Sequence, residues 1–108
     1  DLAFCLNHLL LKCLWRPAGT ALYLAAFDAL AGAYLDGVRW EAPAALEARG
    51  AAYLPGLLLA RVDGKSPVEY LTAARDQDRI RRFARALFAA APPALATIRA
   101  LWTEELAA

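Results

Sequence analysis

Methionine is missing from this 108-residue chain, histidine occurs once and cysteine twice. One His and two Cys do not make a zinc pattern. Cys5 and Cys13 would sit roughly 12 Å apart along one helix, at about 1.5 Å per residue, beyond the reach of a disulfide. They read as small buried apolar residues in a reducing cytosol. Ile and Val are scarce, which argues against a sheet. A basic leader is lacking, so no signal peptide is expected. No stretch approaches the roughly 20 apolar residues of a membrane span. Leu2 to Trp15 is too short and holds Asn7, His8 and Lys12, and Ala21 to Leu35 is interrupted by Asp28 and Gly32. A Gly-rich phosphate loop is absent as well. Gly64-Lys65-Ser66 has the end of one, but the earlier glycine position is Leu59 and no strand precedes it.

What is present is Ala, Leu and other helix formers, with 60% apolar residues and a mean hydropathy of +0.35. Such a surplus at this length has three readings: a membrane-bound chain, an oligomer, or one lobe of a larger protein. The last agrees with the abrupt passage from Asp1 into an apolar stretch. Net charge is only +1 and points to no partner. Arg75, Arg79, Arg81, Arg82 and Arg85 cluster against Asp76 and Asp78. A solvated helix face is the better reading of that cluster, and nucleic-acid binding the lesser one.

Along the chain, Asp1 is a candidate N-cap for a helix over 2–15. That helix is apolar nearly all round and is therefore expected to be buried all round. Arg16-Pro17-Ala18-Gly19 breaks it. A second helix is predicted over 20–35, with Tyr23, Phe27, Leu30 and Tyr34 as its packing stripe. Pro43 suits the first position of a third helix over 43–62, with a kink or break at Pro55. After a turn at 62–65, Ser66-Pro67-Val68-Glu69 reads as a capping box that starts another helix. A segment over 76–90 is amphipathic, with Ile80, Phe83, Ala84, Leu87 and Phe88 on the apolar side. Pro92-Pro93 stops it, and a last helix over 94–106 turns Leu95, Ile98, Leu101 and Trp102 inward. The whole, 1–108, reads as a single all-α helical bundle of five or six helices.

Residues that could carry chemistry are few. His8 has no nucleophile or carboxylate at suggestive spacing, so it and Asn7 read as hydrogen-bonded core residues. Carboxylate pairs give no defensible metal site. Arg61, Asp63, Lys65 and Ser66 form the densest polar group, at the end of one helix and the expected start of another. Two readings stand there. One is an anion site built from a helix N-terminus with Arg and Lys. The other is an arginine capping a helix C-terminus beside a turn-forming Asp.

Asp1-Leu2-Ala3, followed by Phe4-Cys5-Leu6-Asn7-His8-Leu9-Leu10-Leu11-Lys12, resembles the segment after the metal-binding motif of aminoglycoside-phosphotransferase-type kinases. There a Gly-Asp-Pro-x-x-Asp-Leu-Ala stretch leads into the first long helix of the substrate lobe. The run from Leu54 to Leu71 is similar to bacterial members, nearer the methylthioribose-kinase relatives than the antibiotic-resistance enzymes. The resemblance implies the C-terminal subdomain of a protein-kinase-like fold. It implies a parent that uses ATP and Mg²⁺ to phosphorylate a hydroxyl of a small polar acceptor, with this lobe inactive alone. The nucleotide lobe, the His-Gly-Asp catalytic loop and the magnesium-binding Asp have no counterpart in these residues. Carried over are Asp1, expected to brace the catalytic loop, and Arg61, expected to reach substrate, with Asp63 and Lys65 added by proximity. The expected partners are the missing N-terminal part and the acceptor, with neither nucleic acid nor membrane, in the cytoplasm. A homodimer through exposed apolar surface is also allowed. The alternative is a non-catalytic ligand-sensing or dimerisation module.

Overall fold

The computed structural model describes residues 1–65 and 67–108. They form five α-helices: α1 (Leu2–Trp15), α2 (Thr20–Asp36), α3 (Pro43–Asp63), α4 (Ala74–Ala90) and α5 (Leu95–Ala107). A short 3₁₀ turn, Pro17–Gly19, joins the first two. The described residues contain no strand. The all-α expectation holds, at the lower of the two expected helix counts.

Helix α1 starts where the N-cap reading places it. The Asp1 carboxylate accepts from the Phe4 amide at 3.0 Å, satisfying one of the donors a helix start leaves unpaired. The helix lies between α2 and α3, α4 packs on α3, and α5 touches α2, α3 and α4. The core joins Leu6, Leu10, Leu11, Phe27, Leu54, Leu58, Ile80, Leu87, Ile98 and Trp102. Trp102 is fully buried, with its ring 4.8 Å from that of Phe83.

Two helix ends are solved by tertiary contacts. The Leu95 amide at the start of α5 donates to the Glu47 carboxylate of α3 at 2.9 Å. A carboxylate suits a helix N-terminus on both hydrogen-bonding and dipole grounds. Helix α4 ends on Ala91, whose φ of 47° is left-handed. Its amide still donates to the Leu87 carbonyl at 2.7 Å. Glycine takes that conformation without the Cβ penalty. Ala91→Gly is therefore expected to stabilise the fold by about 1 kcal/mol, raising Tm by roughly 4–8 °C. An unchanged Tm in a thermal melt would show that the left-handed cap carries no strain.

Several expectations need correction. Pro55 neither breaks nor ends α3, which runs unbroken to Asp63. The capping-box helix is not formed: residues 67–73 are turn and irregular chain, and the next helix begins at Ala74. Ser66, the cap in that reading, lies outside the described residues. In place of a helix, the Val68 amide donates to the Arg61 carbonyl at 2.8 Å, and Gln77 donates to the Leu71 carbonyl at 3.0 Å. Segment 67–71 thus folds back on α3, and its anchor Leu71 is buried.

Helix α1 is not buried on all sides, since Phe4, Cys5 and Trp15 are exposed. Only one of the two cysteines, Cys13, is in the core. In α2 the buried residues are Leu24, Phe27 and Ala31, and Leu30 and Tyr34 face out. Phe88 of α4 is likewise exposed. Nor do Asp28 and Gly32 interrupt α2. The helical run Pro17–Asp36 is long and apolar enough, by length and composition, to cross a membrane. In this fold Asp28 accepts from Arg99 of α5 at 3.1 Å, tying the two helices together.

Candidate functional site

The residues with unusual surroundings gather where α1, the end of α3 and the 67–70 segment meet. Positions 4, 8, 12 and 15 share one side of α1 because three- and four-residue steps return to the same face of a helix. Phe4 meets His8 edge-on at 5.1 Å between ring centroids. His8 lies 6.3 Å and Trp15 5.4 Å from Tyr70 between ring centroids. The result is an aromatic wall, Phe4–His8–Tyr70–Trp15. Its ends carry guanidinium groups: Arg61 stands 5.4 Å over the Phe4 ring and Arg16 stands 4.5 Å over Trp15. Cations over aromatic faces are held by the ring quadrupole.

An open hollow of about 650 Å³ is lined by His8, Arg61, Pro67, Val68, Glu69 and Tyr70. His8 Nδ1 and the Tyr70 hydroxyl share a hydrogen bond of 2.9 Å. Burial lowers the His8 pKa, and the charges of Arg61 and Lys12 lower it further. Both causes favour the neutral imidazole. Burial also pushes the Tyr70 phenol up, partly offset by Arg61. Arg61 is the unusual member. Its Nε is withdrawn from solvent with no acceptor among the described residues, and no carboxylate pairs with the side chain there. Buried donors are nearly always paired, and each orphan costs about 1–3 kcal/mol. A planar cation above an aromatic face, with free donor capacity beside a hydroxyl and an imidazole, is chemically suited to hold an anion.

Of the site residues expected from the sequence, Arg61 alone lines this hollow. Asp63 is turned toward α4, where Arg81 donates to both its oxygens at 2.8–3.1 Å. Those bonds hold its carboxyl below the usual range. Lys65 is exposed and lines no part of the hollow. Asp1 caps α1 and borders a separate small cavity of about 140 Å³ with Tyr34, Arg49 and Tyr53. Arg49 is itself paired with Glu41 at 2.6 Å. The helix N-terminus that the anion reading placed beside Arg61 is absent, because 67–73 is not helical. The partners that replace it, His8 and Tyr70, lie 62 residues apart in the chain.

The arginine cluster of α4 is divided between internal bonds and solvent. Arg79 pairs with Glu105 at 3.2 Å and Arg81 with Asp63 and Asp78. Arg75 and Arg85 are exposed. Among the described residues no three His, Cys, Asp or Glu side chains come together as a metal site.

No protein-family pattern, curated protein or solved structure matches this chain.

Proposed function

We propose that this chain is the substrate-binding helical lobe of an ATP-dependent phosphotransferase of the aminoglycoside-phosphotransferase type. The parent acts on a hydroxyl of a small polar molecule, and the lobe is inactive by itself. The observation that carries the reading is the position of Arg61. The C-terminal turn of α3 delivers it to an open hollow against α1, without an ion-pair partner among the described residues. The two stretches of sequence that resemble this family are α1 and the run from the second half of α3 into segment 67–71. In the fold these two stretches form the walls of that hollow.

ATP and Mg²⁺ belong to the other part of the parent in this reading. The residues of this chain are assigned no magnesium ligand in this reading. The lobe binds and orients the acceptor, and the expected setting is the cytoplasm, without nucleic acid or membrane as partner.

In the parent protein, Arg61→Ala is expected to lower kcat/KM by about tenfold or more, through loss of a charge-assisted contact. A screen of hydroxylated acceptors with ATP supplies the assay. A second reading, a dimerisation module, is favoured by the exposure of Leu22, Leu30 and Tyr34 along α2. Unchanged kinetics in Arg61→Ala, together with a defined dimer of the 108-residue chain, would replace the first reading with the second.

A further inference from the structure

We infer that the hollow between α1, the end of α3 and segment 67–70 is an oxyanion site, built for a phosphorylated or sulfonated small molecule and coupled to a proton on His8. The inference rests on the phosphotransferase reading for the ligand's role as acceptor, and on the geometry for its chemistry.

Residues from three parts of the chain line the hollow. Arg61 arrives from α3, Tyr70 from the folded-back segment, and His8 from α1. The charged and titratable groups that share the surroundings of His8 are Arg61, Lys12 of its own helix, Tyr70 and Glu69. Arg61 and Lys12 have no carboxylate partner among the described residues. Glu69 is exposed at the rim, and its charge opposes an anion.

Arg61 and Lys12 disfavour a charged imidazole. A bound dianion reverses that balance, because an opposite charge at close range favours the protonated form. Where the neutral ring is the tautomer whose Nδ1 accepts from the Tyr70 hydroxyl, protonation also changes what Tyr70 does. Imidazolium Nδ1–H must donate, so the 2.9 Å bond then runs from His8 to the Tyr70 oxygen. The phenolic hydrogen is released to turn toward the anion. Arg61, Tyr70 and the imidazolium charge would then all serve one ligand. Binding takes a proton from solvent, and affinity falls as pH rises through the His8 titration range.

His8 is the sole histidine, so its ring proton signals in NMR report the site without overlap. The probe is sulfate, whose charge is constant over the range, against chloride at equal ionic strength. Sulfate is expected to raise the His8 midpoint by about one pH unit. By reciprocity, sulfate affinity should fall about tenfold across the same range. Arg61→Gln should abolish the shift, and Tyr70→Phe should reduce it. Glu69→Gln replaces an exposed side chain and keeps the test decisive if Arg61→Gln fails to fold. It should tighten sulfate binding about twofold to fivefold, as expected for relief of one exposed charge interaction. An equal shift with chloride, a shift retained in Arg61→Gln, or no tightening in Glu69→Gln overturns the oxyanion site. If that happens while Arg61→Ala still impairs the parent, the lobe reading survives without this site. Sulfate binding with an unimpaired Arg61→Ala parent would leave an anion-binding module and remove the kinase.

Discussion

Trp102→Ala is expected to lower the stability of the chain by about 3–5 kcal/mol. The indole is fully buried on α5, and its ring lies against Phe83 of α4 at 4.8 Å. It neighbours the Cys13 thiol of α1. One side chain thus joins three helices, and α5 has few other contacts with α4. Truncation removes the largest fully buried side chain and leaves a cavity that rigid helices cannot close. Domains of this size hold about 5–15 kcal/mol in total. The loss should therefore appear as a fall in Tm of roughly 15 °C or more, at about 4–8 °C per kcal/mol. Trp102→Phe should cost much less. It keeps most of the ring contact and removes an indole N–H that has no hydrogen-bond partner among the described residues. Denaturant melts of both variants give the comparison. A loss below about 1 kcal/mol for Trp102→Ala would mean that α5 is not anchored through this ring, since a buried Trp truncation ordinarily costs several times more.

Gly64→Ala is expected to cost about 1–3 kcal/mol, through forced displacement at a packed site. Glycine after a helix ordinarily suggests a left-handed cap. Gly64 is different: its φ is −82° and its ψ −174°, which any residue adopts. The constraint is space. A Cβ there would stand 2.5 Å from the Ala60 carbonyl oxygen and 3.1 Å from the Ala60 Cα, both backbone atoms. The same carbonyl accepts from the Gly64 amide at 2.9 Å. The chain must therefore leave α3 by another route, and the Val68-to-Arg61 bond that folds segment 67–70 back would be lost or lengthened. Tyr70 would move with it, away from His8. The variant should show both a lower denaturation midpoint and a disturbed His8 signal. A stable Gly64→Ala protein with an unchanged His8 signal would show that the α3 end does not govern the hollow.

Much of the fold is legible in the sequence. The Asp1 cap and the bounds of α1 follow from one short polar residue before a largely apolar run, and from the Arg16-Pro17-Ala18-Gly19 break after it. The buried stripe of α4 follows from the spacing of Ile80, Phe83, Ala84 and Leu87, because its polar residues are dense enough to mark the opposite face. Periodicity was uninformative where nearly every residue is apolar. In α1 and α2, composition does not say which face packs, and Phe4, Cys5, Leu30 and Tyr34, expected inside, face out. Phe88 continues the α4 spacing yet lies beyond the covered face. The Ser66 to Glu69 pattern has the local chemistry of a helix start, but the chain there is bound back to the end of α3. A single backbone bond and the burial of Leu71 outweigh that local preference.

The site divides along the same line. Sequence alone determined a helical chain, a short polar cluster around Arg61, and a lone histidine without an obvious partner. Only the tertiary structure decided that Asp63 turns to Arg81 while Arg61 turns to α1. It alone brought Tyr70 within hydrogen-bonding distance of His8, across 62 residues. Helix formation depends on neighbours three and four residues apart, which a sequence displays directly. Ion pairing and site assembly depend on which helix faces meet, and in a chain so rich in Ala and Leu many pairings of faces satisfy the same composition.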